Sequence, residues 1–350
     1  MRRQNFCMLR TALLCVAVCS LLATGCASAP GGGSSARFEI GLIGDQHYDA
    51  ESSAQFPNIM ADLNRANLDF VVHVGDIGAP PFGSCEDGTY YRRRDEFNQS
   101  RHPFIYTPGD NEWTDCHQAG IPDSLERLAK VREVFFPGEG SLGRRALPLA
   151  RQSSEARYEK YRENARWTRG GVLFATLHIP GSNNNLGRTP EMDAEYAERN
   201  AANLEWLRQA FRQARESGSR AVMLLIQANP RFEETWPARR RGGLGVAPPP
   251  KRASGYADFL AALRSEVLTY DKPVALVHGD THYFRVDKPM ILDDGRGAKR
   301  GSIVEHFTRV ELFGYPEAHW VRAIVDPADP NVFSFRPEIV KENLPRRGAK

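Results

Sequence analysis

Compact apolar runs alternate along the chain with segments in which apolar residues recur every three or four positions. The compact runs predict buried strands, and they occupy residues 38–43, 69–74, 103–106, 172–179, 221–226, 273–277, 305–313 and 320–325. Between these runs lie segments with helical periodicity. They occur at Phe56, Ile59, Met60 and Leu63 and again over 197–214 and 256–268. Strands that alternate with helices predict an α/β fold in which helices cover a mixed or parallel sheet.

The first 25 residues have the pattern of an export signal. Arg2 and Arg3 precede an almost wholly apolar stretch from Leu9 to Ala23, which is too short to span a membrane. We therefore predict that residues 1–25 are a signal segment and that the protein is exported to the envelope or periplasm of a bacterium.

The end of this leader resembles the lipobox of bacterial lipoproteins. It has the sequence Leu22-Ala23-Thr24-Gly25-Cys26, in which the Cys26 thiol would become lipidated. An ordinary cleaved signal is the alternative. Residues 26–37 are rich in Gly, Ser and Pro and predict a flexible tether. The lipid on Cys26 would be the chain's one attachment to a membrane.

Residues 38–338 are predicted to form one enlarged domain, followed by a polar tail at 339–350. The chain has 350 residues, of which 41% are hydrophobic and 25% are charged, the profile of a globular protein. Its net charge of +3 is close to neutral, so the composition gives no reason to expect nucleic-acid binding.

Export changes the interpretation of the six cysteines. Four of them lie in the leader, and only Cys85 and Cys116 remain for the folded domain. Two thiols in an oxidising compartment predict one disulfide. Two free thiols are the alternative.

Four predicted strands end in glycine followed by metal-binding residue types. The sequences are Gly44-Asp45-Gln46-His47, Gly75-Asp76, Gly109-Asp110-Asn111-Glu112 and Gly279-Asp280-Thr281-His282. In open α/β sheets the carboxyl ends of the strands line the ligand crevice. Carboxylate and imidazole groups together suit divalent metals such as Mn, Fe or Zn, so these strand ends predict a metal site.

The order D-x-H, G-D, P-G-x-x-E and G-x-x-H resembles the calcineurin-like metallophosphoesterase family over about residues 38 to 290. The resemblance implies an α/β/β/α sandwich with a mixed central sheet pair flanked by helices. It also implies that Asp45, His47 and His282 bind a first metal and that Asp76 bridges to a second. Two metals would clamp the phosphate and activate a hydroxide for in-line attack on phosphorus.

The third, fourth and fifth motifs depart from the family pattern. Asp110 takes the place of a metal-binding Asn, and Asn111 takes that of the His assigned to protonating the leaving group. Gln227 and Asn229 lie where the fourth motif has a His before a Pro, which makes them and Asn111 candidate ligands of the second site. Asp280 replaces the first His of the fifth motif. Oxygen ligands at these places favour harder cations such as Mg, Mn or Ca over Zn.

The function implied by the resemblance is a metal-dependent phosphoesterase that acts outside the cytoplasm. One or two divalent ions, drawn from Mn, Fe, Mg or Zn, are expected as cofactors, and the substrate is a phosphate ester of unknown identity. Asn cannot donate a proton at neutral pH, so His278, His117 or a metal-bound water would replace Asn111 as acid. The alternative is a catalytically impaired metal-binding envelope protein. Loops such as 77–101, 137–170 and 231–252 carry no readable motif and are expected to set specificity.

Overall fold

The computed structural model describes residues 36–236, 253–292 and 302–345. In chain order its strands are β1 (Phe38–Ile43), β2 (Val71–His73), β3 (Phe104–Tyr106), β4 (Ala150–Arg151), β5 (Ala165–Arg169), β6 (Val172–Thr176), β7 (Ala221–Leu225), β8 (Val274–His278), β9 (Arg285–Asp287), β10 (Ile291–Leu292), β11 (Ser302–Ile303), β12 (Phe307–Glu311), β13 (Trp320–Val325) and β14 (Phe333–Glu338). The helices are α1 (Ala50–Arg65), α2 (Asp87–Asn98), α3 (Ser124–Phe135), the single turn α4 (Gly181–Asn184), α5 (Pro190–Glu216) and α6 (Ala257–Tyr270).

Two mixed sheets form the centre of the fold. The first has the strand order β14-β13-β1-β2-β3, and the second has the order β4-β5-β6-β7-β8-β12-β9. β1, β2 and β3 run parallel to one another, as do β6, β7, β8 and β12. The carboxyl ends of β1, β2 and β3 therefore share one edge of the first sheet.

Side-chain alternation divides the core into layers. In β6, Val172 and Phe174 pack between the two sheets, whereas Leu173 and Ala175 pack on the other face with α5 and α6. The outer face of the first sheet packs on α1, α2 and α3. Strands buried on both faces read as continuous apolar runs, and this confirms the predicted sandwich of mixed sheets flanked by helices.

Several predicted features fall in different places. Segment 77–101, expected as loop, contains α2. The expected polar tail begins with ordered packing, because Val340 is buried and the Asn343 amide donates hydrogen bonds to the Gln55 and Ala318 carbonyls. The signal, most of the tether, Cys26, much of 231–252 and residues 346–350 lie outside the described residues. None of the described helices has the length and apolar character needed to cross a membrane.

Candidate metal centre

Four aspartates follow the carboxyl ends of strands from both sheets. Asp45, Asp76 and Asp110 come after β1, β2 and β3 of the first sheet, and Asp280 comes after β8 of the second. The first three side chains are buried, and that of Asp280 is partly buried. We call these four residues the acidic cluster.

Backbone conformation at these strand ends is unusual. Asp45, Asp76 and Asp280 have φ angles of 51°, 60° and 79°, and His282 has 59°. Residues other than glycine rarely adopt this left-handed region, where each costs about 1–3 kcal/mol and is retained mainly at functional sites. Holding these side chains in the crevice therefore lowers the stability of the fold.

Glycine permits close approach around the acidic cluster. A β-carbon built on Gly279 would lie 1.9 Å from Asp45 Oδ2, and one on Gly109 would lie 2.0 Å from Asp76 Oδ1. At Gly181 it would lie 2.6 Å from Asp110 Oδ2 and 2.7 Å from Asp280 Oδ1. The backbone at Gly181 thus approaches the carboxylates of both Asp110 and Asp280.

Electrostatic repulsion links the members of the acidic cluster. Burial raises the pKa of Asp45, Asp76 and Asp110, and the negative charge of neighbouring aspartates raises each pKa further. Burial likewise raises the pKa of Asp280. Within the described residues, no Lys or Arg forms an ion pair with any of the four. With no such ion pair among the described residues, protons or a bound cation would balance the charge of the acidic cluster.

Two carboxylate oxygens lack partners. Asp45 Oδ2 and Asp110 Oδ1 are buried and accept no hydrogen bond from any part of the chain that is described. Asp45 Oδ1 accepts from the Asp280 N–H at 3.0 Å. Unpartnered buried carboxylate oxygens are open ligand positions, because burial without a partner is otherwise expensive.

His282 and Tyr48 complete the site beside Asp45 and Asp76. The His282 Nδ1–H donates to the Tyr315 carbonyl at 2.7 Å, so Nε2 keeps its lone pair and lies 3.6 Å from Asp45 Oδ1. The Tyr48 hydroxyl donates to Asp76 Oδ2 at 2.9 Å, and its oxygen lies 3.2 Å from His282 Nε2. Burial raises the pKa of Tyr48 well above its usual value, so the hydroxyl remains protonated.

His47, predicted as a ligand of the first metal, lies outside the acidic cluster. Its Nε2 contacts Glu96 Oε2 of α2 at 3.1 Å, and its Nδ1 lies 3.5 Å from the Ser53 hydroxyl of α1. The ring packs edge-on against Phe56. Both ring nitrogens contact side chains of α1 and α2 in this arrangement, and the role of His47 as a metal ligand stays a prediction.

Asn111 and Glu112 connect the loops that follow β2 and β3. The Asn111 amide donates to the Gly78 carbonyl at 2.9 Å, and its N–H donates to Asp76 Oδ1 at 3.1 Å. The Glu112 carboxylate accepts from the Ile77 and Gly109 N–H groups, each at 3.0 Å. The Asn111 side chain, a candidate catalytic group and second-site ligand, is thus occupied in holding the Asp76 loop.

Gln227 and Asn229 also act through hydrogen bonds. Gln227 Oε1 accepts from the Gly181 N–H at 2.5 Å, and Nε2 donates to Asp76 Oδ2 at 3.1 Å. The Asn229 amide donates to Thr281 Oγ1, and its backbone N–H donates to Asp280 Oδ2. Both residues, considered as second-site ligands, orient the carboxylates here, and Gln227 bridges the two sides of the site.

His278 does not reach the acidic cluster. Its Nδ1 contacts the Gly279 carbonyl at 2.9 Å, and burial together with the charges of Arg309 and Arg285 lowers its pKa to about 3. A histidine with that pKa is neutral at pH 7. His117 contacts the Thr114 carbonyl and Arg188. Neither imidazole lies against the four aspartates in this arrangement.

Cys85 and Cys116 form the predicted disulfide, with their Cα atoms 5.8 Å apart. The neighbouring Ser84 hydroxyl donates to the Asn111 carbonyl at 2.9 Å. Because the Asn111 N–H holds Asp76, the disulfide ties the loop after β2 to the loop after β3 directly beside the site.

The donor set suits a hard divalent cation. Within the described ranges, no three His, Cys, Asp or Glu side chains stand in the arrangement of a formed metal site. The unpartnered oxygens of Asp45 and Asp110 and the repulsion within the acidic cluster nevertheless fit a bound cation. Carboxylate oxygens with one imidazole favour Mg or Mn over the softer Zn environment of Cys and His.

The fold and the site define an α/β/β/α sandwich whose crevice is lined by buried carboxylates. No family model matches the chain, and no curated protein matches it. Among solved structures, 41 chains match. One is a dimetal phosphatase from Danio rerio, 12% identical over 87% of this chain and 96% of that chain, with a TM-score of 0.49.

Another is a 5'-nucleotidase from Candida albicans SC5314, 11% identical, with a TM-score of 0.44. That match covers 85% of this chain and 50% of the nucleotidase, so this chain spans half of that protein's length.

Proposed function

We propose that the chain is a metal-dependent phosphoesterase of the calcineurin-like type. The observation that carries the proposal is the acidic cluster, in which four carboxylates converge and no Lys or Arg of the described residues forms an ion pair with any of them. The order of the four strand-end motifs and the sandwich of mixed sheets support the same assignment. The substrate class is a phosphate ester, because clustered divalent ions suit the charge of a phosphoryl group.

Asp45, Asp76, Asp110, Asp280 and His282 would hold one or two divalent ions. Such ions would offset the charge of the phosphate and lower the pKa of a water that attacks phosphorus. Asp76 is held at both oxygens, by the Asn111 N–H on one side and by Tyr48 and Gln227 on the other. Fixed carboxylates need no reorganisation when charge develops at phosphorus.

Tyr48 is the side chain best placed to take over hydrogen bonding from the missing histidine. Its protonated hydroxyl lies between Asp76 and His282, at the surface of the acidic cluster. The stacked ring of Tyr315 and the edge contact with His282 fix the orientation of the Tyr48 ring. The residue therefore orients Asp76 at the edge of the crevice, because its one O–H is donated to that carboxylate.

The proposal is tested by metal content and by hydrolysis of an aryl phosphate, measured on the wild-type protein and on Asp76→Ala. We expect wild-type protein to retain Mn²⁺ or Mg²⁺ after gel filtration and to release phosphate, and the variant to lose both properties. Asp95→Asn is the matched control, because Asp95 pairs with Arg94 at the surface of α2. Equal turnover in wild type and Asp76→Ala would refute the assignment.

Bound metal without turnover of phosphomonoesters, diesters or nucleotides would instead favour the binding role that the missing histidine first indicated. The same panel therefore separates the enzyme from a metal-binding envelope protein.

We also propose that the protein is exported and anchored by a lipid on Cys26. The leader pattern is the ground for this, and the Cys85–Cys116 disulfide fits an oxidising compartment. Labelling with radioactive palmitate should mark the wild-type protein and not Cys26→Ser. Recovery of an unlabelled wild-type protein from the soluble fraction would contradict the anchor.

A further inference from the structure

A cavity of about 500 Å³ opens beside Tyr48. Tyr48 lines the cavity, and its hydroxyl reaches Asp76 in the acidic cluster. The cavity and the proposed metal centre are therefore neighbours that share one side chain. A substrate with its phosphate at the centre would extend its leaving group into this space.

One wall of the cavity is continuous with the loops that hold Asp76. Gly78 and Ser84 line the wall, and both are hydrogen bonded to Asn111. The disulfide at Cys85 follows directly. This wall is braced by covalent and hydrogen-bonded contacts, so its shape is set before a ligand arrives.

Phe82 provides an aromatic surface in the same cavity. It ends the short 3₁₀ turn Pro80–Phe82, and 62% of its side chain is exposed. An exposed large apolar side chain at the wall of a polar cavity is a typical contact for a planar ring of a ligand.

Arg92 provides a positive charge that forms no ion pair with the described residues. Its guanidinium donates one hydrogen bond, to the Thr89 hydroxyl, and it pairs with no carboxylate in the part of the chain that is described. Arg93 in the same cavity differs, because it is held by the Ile77 carbonyl and by Glu96. Arg92 is thus the cation that remains for a ligand.

The two acids at the cavity do not neutralise Arg92. Asp49 accepts hydrogen bonds from the Ser52 N–H and the Tyr315 hydroxyl, and Glu96 contacts His47 and Arg93. An exposed guanidinium with free donors binds carboxylate or phosphate in a bidentate manner.

We infer that this cavity, named here the leaving-group cavity, binds the leaving group of a phosphate ester that contains an aromatic ring and a second anionic group. Phe82 would contact the ring, and Arg92 would bind the anionic group. The inference rests on the proposed function, because it places the phosphate at the acidic cluster. On hydrolysis the oxygen–phosphorus bond to the aromatic group breaks, water supplies the new oxygen on phosphorus, and the leaving oxygen takes a proton.

Non-hydrolysable phosphonates test the inference without turnover. Calorimetry on the Mn²⁺-loaded protein would compare methylphosphonate, phenylphosphonate and 4-carboxyphenylphosphonate. We expect phenylphosphonate to bind about tenfold more tightly than methylphosphonate. The carboxyl group should add about a further tenfold. Phe82→Ala should collapse the ratio of phenyl to methyl affinities, and Arg92→Gln should collapse only the ratio of carboxyphenyl to phenyl affinities.

Helix α2, which carries Arg92, also offers matched control residues. Tyr91 is a half-exposed aromatic residue outside the cavity lining, and Arg94 is paired with Asp95. Tyr91→Ala and Arg94→Gln should leave both affinity ratios at their wild-type values. Control variants that reduce the ratios as strongly as the cavity variants would overturn the inference.

Two results separate this inference from the proposed function. Hydrolysis of phosphate esters together with equal affinities for the three phosphonates would overturn the leaving-group cavity and leave the enzyme intact. Failure of all three phosphonates to bind the Mn²⁺-loaded protein would also overturn the inference. Absence of metal binding and of turnover would refute the proposed function itself.

Discussion

Two groups of buried charges in this protein show opposite chemistry. The acidic cluster brings four carboxylates together. Burial raises the pKa of all four, and repulsion from neighbouring aspartates further raises the pKa of Asp45, Asp76 and Asp110. The second group is centred on Glu163, which is also fully buried. Burial would raise the pKa of Glu163, yet the charge of Arg132 and the hydrogen bond from His178 hold that pKa well below its usual value.

The group around Glu163 is satisfied by the chain itself. Arg132 binds the Glu163 carboxylate through two nitrogens. Trp113 Nε1–H donates to His178 Nε2 at 3.2 Å, so His178 Nδ1 carries the proton and donates to Glu163 at 2.8 Å. Each charge there has a partner, which is the usual condition for burying one.

The difference indicates what each region is for. The Glu163 group contributes to the stability of the fold without any ligand. The acidic cluster lowers stability on its own, because no ion pair within the described residues balances it and protons or a bound cation would have to do so. Functional sites commonly carry such destabilising arrangements, because the site is selected for binding.

Removing one carboxylate from the acidic cluster should have the largest effect. Asp45→Asn keeps the acceptor for the Asp280 N–H and removes one negative charge. We expect aryl-phosphate turnover to fall at least about a hundredfold, while the thermal midpoint of the chelator-treated protein rises because repulsion is relieved. Phosphate release and thermal unfolding measure the two effects. A lower midpoint in chelator would contradict the repulsion.

Removing the carboxylate of Glu163 should have the reverse effect, lowering stability without changing metal binding. Glu163→Gln leaves Arg132 without its carboxylate, and breaking a buried pair of this kind lowers the free energy of unfolding by ~3 kcal/mol. Urea unfolding measures the loss, and Mn²⁺ affinity should stay at the wild-type value. Glu133→Gln, in a surface pair with Lys130, is the control and should leave the unfolding midpoint unchanged. A large change in Mn²⁺ affinity would show that the two regions are coupled.

The pH dependence of stability should separate the regions again. A raised pKa means that the folded state binds more protons than the unfolded state, so ionising Asp45 costs stability as pH rises above the ordinary aspartate value of 3.8. In the absence of metal, the thermal midpoint of Asp45→Asn should exceed that of wild type. This difference should therefore grow from pH 5 to pH 8. Taking this difference cancels the buried histidines, which titrate in both proteins. Saturating Mn²⁺ should abolish the widening, and a gap independent of pH would refute the assigned sign.

Glu163 should show the opposite trend in a lower window. Its depressed pKa contributes stability that is present above the ordinary glutamate value of 4.5 and is lost as pH falls below it. The stability difference between wild type and Glu163→Gln should therefore shrink below pH 4.5, as urea unfolding at successive pH values can show.

The smallest effect is expected from removing a neutral hydrogen-bond donor to the acidic cluster. Tyr48→Phe removes the hydrogen bond to Asp76 and keeps the stacked ring. We expect Mn²⁺ affinity to fall about tenfold, the usual effect of losing a group that orients a metal ligand. Tyr283→Phe, at a side chain that is 70% exposed, should have no effect. Calorimetric titration with Mn²⁺ measures both, and equal affinities in all three proteins would remove Tyr48 from the site.

The sequence predicted the sheets well because their strands are buried on both faces. The predicted run 221–226 corresponds to β7, and 38–43 is β1. α2 was missed because its buried residues are only Thr89, Tyr90 and Phe97 in an otherwise polar segment. A helix that packs through so few apolar side chains leaves little periodic signal.

The convergence of the four aspartates followed from their positions at strand ends. The orientation of individual side chains did not, because it depends on residues distant in sequence. His47 turns to Glu96, 49 residues away, and Tyr48 reaches Asp76, 28 residues away. Tyrosine is also not a typical metal-site residue, so the sequence drew no attention to Tyr48.

The acidic cluster spans the seam between the two sheets, since Asp280 follows β8 while Asp45, Asp76 and Asp110 follow strands of the opposite layer. Without a cation, like charges push the two layers apart at this edge. An ion bound by carboxylates from both sheets would hold the sheets together at this edge of the sandwich. Hydrogen exchange at the ends of β1 and β8 should then slow together when metal is added, because an ion in the crevice would also join the two sheets.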